Sequence, residues 1–185
     1  CGEGDPSSVS IGGVVKAMGA LAERWGTLSW AEYLQPAIDA ATEGVEVSSF
    51  MYGINYKLMQ TGDSGGLINH EAAREFYMPD GFLVPVGERW KMPALADHLS
   101  RLADEGPNYM YTGEWADAFV ESARAGGHCV APEDLGEYEV QWQDPVRFTY
   151  NGHSMVGSAP PDTGGVLVGL GLNILQHFDL SDRPH

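Results

Sequence analysis

A chain of 185 residues, 43% hydrophobic and carrying 26 acidic against 10 basic side chains for a net charge of −16, is long enough for one domain with a real core. That charge repels phosphate backbones and anionic lipid and so argues against nucleic acid as a partner; no apolar run approaches the ~20 residues a membrane span needs. Two cysteines, Cys1 and Cys129, are too few for a disulfide scaffold and sit in no metal-ligand spacing, so both read as incidental, Cys129 as a small buried residue.

The glycines, Pro6, Ser7 and Ser8 of the first thirteen residues predict an entry loop, with no basic or apolar signal region in view. Val14, Val15, Met18, Leu21, Ala22 and Trp25 then recur at helical spacing up to Gly26. Ser29-Trp30-Ala31-Glu32 is a capping box, but proline disrupts a helix interior. Two short helices are therefore expected, the second beginning at Pro36, turning Ala37, Ile38 and Ala41 inward and ending on a left-handed Gly44. Ser48 is placed to cap a third helix carrying Met51, Ile54, Asn55 and Leu58, and residues 61–90 read as loop-rich.

Pro93, at a first helical position, opens a helix with Leu95, Leu99 and Leu102 on one face, closed by Gly106-Pro107. Another, from about Gly113, packs Trp115, Ala118, Phe119 and Ser122 and stops at Gly126-Gly127. Pro132-Glu133-Asp134-Leu135 starts a brief helical turn. Val146, Phe148 and Tyr150 alternate with Arg147 and Thr149 as a strand, and Asn151-Gly152 is a type I′ hairpin signal leading to a return strand from His153 to Ser158. In Pro160-Pro161-Asp162-Thr163-Gly164-Gly165, two prolines hold the chain extended, Thr163 is placed to cap, and the paired glycines let the following helix, Val166 to Leu175, press on neighbouring backbone. The fold class is α+β. Residues 1–185 read as a single segment, with a mainly helical lobe over 1–136 and a hairpin plus buried helix over 137–185.

Motifs that suggest chemistry mostly dissolve on inspection. Gly62-Asp63-Ser64-Gly65-Gly66 has the composition of a serine-protease nucleophile loop, yet no histidine precedes Ser64, and the helix-rich flanks contradict a double β-barrel. The six histidines are scattered without ligand spacing, so no metal site is expected, and His98 and His177 read as helical surface or boundary residues. Glu71 with Glu75, and Glu133 with Glu137, are solvated pairs. The glycines from Gly164 to Gly171 lack a phosphate-loop lysine, so no cofactor is expected either.

The stretch from Pro160 to Gly165, followed by Leu172-Asn173-Ile174-Leu175 and Phe178-Asp179, resembles a segment of the large subunit of γ-glutamyltransferases. So do Tyr111-Thr112-Gly113, Gly126-Gly127, Glu133-Asp134-Leu135, Tyr138, the run from Gly19 to Trp30 and the run from Gln35 to Ala41, all in the family's order. The departures are Asp162-Thr163 where the family has Ser-Ser, and Ile11-Gly12-Gly13 where it has Pro-Gly-Thr. The resemblance implies the middle part of a large subunit in a four-layer αββα N-terminal-nucleophile hydrolase fold. It implies transfer of a γ-glutamyl group from a small-molecule, glutathione-like amide to water or to amino acids or peptides, through an acyl-enzyme on a Thr at the start of a small catalytic subunit cut from the same precursor. On that footing this chain contributes no catalytic residue; Pro160, Pro161, Asp162, Thr163, Gly164 and Gly165 would form a wall of the substrate pocket. A related acylase with another acyl group, and a non-catalytic binding module, are the alternatives. The resemblance points to a periplasmic or extracellular setting, while the residues themselves leave the compartment, cytoplasm included, open.

Overall fold

The computed structural model describes residues 9–60 and 67–179, which fall into two compact units divided between Val140 and Gln141. The first is largely helical. Helix α1 (Val14–Trp25) starts where the glycine-containing entry ends, and α2 (Trp30–Glu43) follows the capping box: the Ser29 hydroxyl accepts the Glu32 N–H at 3.3 Å, and the Glu32 carboxylate accepts the Ser29 N–H at 2.8 Å.

Contrary to the expected break, α2 runs unbroken through Pro36. Pro36 is exposed, so the carbonyl its missing N–H leaves unpaired lies on the side open to solvent, and packing of α2 on α5 (Pro93–Glu105) holds the rest of the helix straight through. Gly44 closes α2 with φ +86° as expected, but its ψ of 151° is extended rather than left-handed helical. Leu102 and Ala41 are buried where these helices meet, and the Trp30 indole N–H donates to the Leu102 carbonyl at 2.8 Å.

Strand β1 (Val45–Glu46) pairs antiparallel with β2 (Arg89–Trp90), each too short to leave an alternating pattern in the sequence. Between them, α3 (Ser49–Gln60) is capped by the Ser48 hydroxyl, which accepts the Met51 N–H at 3.1 Å. Its buried residue is Met59, while Ile54 and Leu58 are exposed. Residues 67–90 hold more structure than a loop: a 3-10 turn at Leu67–Asn69 and α4 (Glu71–Tyr77), built on Glu71-Ala72-Ala73-Arg74-Glu75, all good helix formers. Phe76 and Tyr77 from α4 stack around Trp90, whose indole N–H donates to the Phe76 carbonyl.

The short α6 (Tyr109–Thr112), unpredicted, leads into α7 (Glu114–Ala125) and α8 (Pro132–Gly136). Ala116, Val120, Val130 and Leu135 form a core with Trp115, Phe119 and Ala123 against it, so the inward stripe of α7 is one residue away from the expected Ala118 and Ser122, both exposed. Cys129, expected to be incidental and buried, is half-buried and disulfide-bonded. Cys1 lies outside the described residues, as does the Gly62 to Gly66 motif.

The second unit consists of β3 (Val146–Tyr150), β4 (His153–Gly157) and α9 (Gly164–Leu175). Register runs from Val146 opposite Gly157 to Tyr150 opposite His153, and Asn151 and Gly152 both take positive φ, as a type I′ turn requires. Helix α9 packs on both strands, its Gly169 against the Phe148 ring. His177 falls in the turn after α9 rather than on it.

Candidate functional site

Of the six residues expected to line a pocket, Pro160, Pro161, Asp162 and Thr163 lie between β4 and α9, and Gly164 and Gly165 begin α9. Their geometry is that of a tight turn. The Asp162 N–H donates to the Ala159 carbonyl at 3.1 Å across Pro160 and Pro161, so this stretch turns instead of staying extended. Thr163 does not cap α9 through its side chain. That work is shared by Asp162, whose carboxylate accepts the Gly164 N–H at 2.9 Å, and by Ser158, whose hydroxyl accepts the Gly165 N–H at 3.0 Å. The Ser158 hydroxyl and then the Gly164 N–H hold the exposed Asp162 carboxyl below its ordinary range. Gly165 is buried, and a Cβ there would lie 2.5 Å from the Ser158 nitrogen and 2.8 Å from the Gly157 carbonyl carbon. Pro160, Pro161, Asp162, Thr163 and Gly164 remain exposed, available to anything that approaches this corner.

Two serine–carboxylate contacts occur here and at the start of α2, and each invites a reading as nucleophile and base. The Ser29 hydroxyl lies 2.6 Å from the Glu32 carboxylate, and both partners are exposed. In both pairs the carboxyl is held below its ordinary range by serine and backbone donors. A carboxylate made less basic by such bonds suits a helix cap and makes a poor general base.

A second feature, in the first unit, escaped the sequence reading. Gly12 and Gly13 enter α1 beneath two stacked tyrosines, Tyr111 and Tyr138, with ring centroids 5.7 Å apart. The Tyr111 hydroxyl donates to the Gly12 carbonyl at 2.6 Å and accepts the Lys16 N–H at 3.2 Å. The Lys16 ammonium lies 4.8 Å from the Tyr111 ring centroid and donates to the Tyr138 carbonyl at 2.5 Å. Burial first pushes the Tyr111 phenol up from its ordinary pKa, so it stays a donor. A Cβ at Gly13 would come 2.6 Å from Tyr138 Cζ, which explains why this position has no side chain where the resembling family has Thr. An open cleft of about 670 Å³ lies beside Lys16, bordered by Glu23, Trp30, Pro107 and Glu139. The one available signal was that Tyr111 and Tyr138 both fall on the matched segments.

A model of the gamma-glutamyltranspeptidase family matches residues 3–185. The chain belongs to that family. It is 30% identical over 173 residues to the acylase ACY 1 proenzyme of Pseudomonas sp. strain SE83, covering 94% of this chain and 30% of that protein. It is 28% identical over 174 residues to the glutathione hydrolase proenzyme of Pseudomonas aeruginosa, covering 92% and 29%. The crystal structure of Helicobacter pylori gamma-glutamyltranspeptidase superposes with a TM-score of 0.84 at 24% identity, over 97% of this chain and 50% of that one, which shows the shared α+β fold. The chain thus spans under a third of the length of these two proenzymes.

Proposed function

We propose that this chain is the middle part of the large subunit of an enzyme that moves a γ-glutamyl group from a glutathione-like amide to water or to an amino acid. The observation that carries the reading is the family match across residues 3–185, supported by relatives named as glutathione hydrolase and acylase proenzymes. In this account a small catalytic subunit, cut from the same precursor, presents an N-terminal Thr. Its hydroxyl attacks the γ-glutamyl carbonyl while its own α-amine takes the proton; the amine leaving group departs protonated, and an ester remains for water or a second amine to resolve. Backbone N–H groups hold the oxyanion. Residues 160–165 serve as one wall of the pocket, with α9 fixing that corner rather than reacting.

Exposed apolar side chains on α9 support a missing neighbour. Leu167, Leu170 and Ile174 are exposed at 62%, 54% and 60%, though the helix is apolar on nearly every side. A helix of that kind is stable when sandwiched between layers. The test is hydrolysis of a chromogenic γ-glutamyl anilide by the complete protein, with and without an added dipeptide acceptor. Turnover stimulated by the acceptor supports transfer; absence of turnover on γ-glutamyl substrates, with hydrolysis of other acyl amides, moves the protein to the acylases. The acylase relative at 30% identity and the Asp162-Thr163 departure favour that second reading over a non-catalytic module.

A further inference from the structure

The apolar residues of α1 and α2 line an open groove of about 560 Å³ in the first unit, which meets the cleft beside Lys16 at Ala22 and Trp30. Met18, Leu21 and Trp25 face it from α1; Trp30, Tyr33 and Ala37 face it from α2. Both triplets follow i, i+3, i+7 spacing, so each helix turns one continuous stripe toward the gap. Both helices are secured away from the groove. Pro107 lies where a Cβ on Gly19 would fall, on the opposite side of α1, and α2 packs on α5. The groove wall is also fixed: the Tyr33 hydroxyl accepts the Thr27 N–H at 3.0 Å, clamping the connection between the helices. Yet Met18, Leu21 and Trp25 are exposed at 57%, 47% and 62%.

Two helices with parallel apolar stripes and a gap between them present the ridges and hole that a third helix fills. A second copy of the same surface would not fill it, because two concave grooves facing each other across a two-fold axis are not complementary. More than two thirds of the acylase ACY 1 proenzyme and of the Pseudomonas aeruginosa glutathione hydrolase proenzyme lies outside the matched segment, 30% and 29% of them being covered. We infer that the α1–α2 groove is an intramolecular docking site for an amphipathic helix, apolar at i, i+3 or i+4 and i+7, from the part of the same precursor beyond these 185 residues. The inference rests on the reading of this chain as part of a longer enzyme.

The test uses the complete precursor product carrying a benzophenone amino acid at Leu21, with the cross-linked peptide identified after irradiation. A cross-link to a segment of the same precursor outside residues 1–185, with that apolar spacing, is expected. A cross-link into the same residues of a second copy, or to a segment without that spacing, overturns the proposal. Leu21→Cys supplies an independent readout, and Met18→Cys replaces it if the first variant fails to fold: the thiol is expected to be lost to maleimide in the native protein and to regain reaction on denaturation. Full labelling of the native protein overturns the proposal. Intact mass of the same sample separates the two levels: no polypeptide beyond this chain sinks the functional reading, whereas further polypeptide with an unprotected groove sinks only this inference.

Discussion

The Gly165 N–H donates to the Ser158 hydroxyl at 3.0 Å while the Gly165 Cα lies against the Ser158 and Gly157 backbone, with no room for a side chain. Gly165 therefore both receives the Ser158 cap of α9 and lets the helix touch the end of β4. Gly165→Ala should destabilise the protein by about 1–3 kcal/mol, the range for overpacking a tight site. Gly171, also on α9, has open space at its Cβ position, and Gly171→Ala should stabilise by about 0.5–1 kcal/mol. Chemical denaturation of the two variants checks the contrast; equal effects would refute the close approach.

The capping arrangement makes α9 acid-sensitive in a defined sense. Folding lowers the Asp162 pKa, so its contribution is fully present above the ordinary carboxylate value of 3.8 and is lost as pH falls through the lowered value. Asp162→Asn should remove that contribution, leaving the variant with a shallower loss of stability below about pH 4. Denaturation midpoints across that window decide it.

His98 gives a second pH dependence in the opposite chemical class. It lies between the Tyr109 and Trp115 rings, and burial lowers its pKa from 6.5. The unfolded chain then binds more protons just below pH 6.5, so stability is full above that value and declines as pH falls through the lowered one. His98→Gln should flatten the slope between about pH 5 and 7. Direct titration of the His98 ring by NMR should give a value below 6.5, and a raised one would contradict this placement.

Much of this was readable from local chemistry. The Ser29 capping box, Pro93 at the start of α5 and Asn151-Gly152 between β3 and β4 each fix backbone through neighbours only a few residues away, and each stands where the sequence puts it. The errors arise where distant contacts win. Pro36 stays inside α2 because α5 packs along it, the inward face of α7 follows the core around Leu135, and Tyr138 reaches Gly13 across more than a hundred residues. At residues 160–165 the paired glycines do mark a close backbone contact, but the prolines turn the chain rather than extend it, and Ser158 and Asp162 cap the helix in place of Thr163. Proximity of Ser158 and Asp162 to the first amides depends on the turn closed between Ala159 and Asp162, which composition does not encode.

Tyr111 offers a clean test of the α1 entry. Tyr111→Phe keeps the ring beneath Lys16 but removes the hydroxyl that donates to Gly12 and accepts from Lys16. The expected cost is about 1–2 kcal/mol, with amide exchange at residues near Gly12 accelerated more than at α5. Uniform acceleration would mean the hydroxyl does not act locally.

The central claim is that this chain works as one part of a self-processed enzyme. Intact masses and N-terminal sequences of the protein purified from its natural source, under denaturing conditions, test it most directly. The account predicts a second polypeptide beginning with Thr, encoded by the same gene downstream of this segment. A product with no chain beginning in Thr would contradict it.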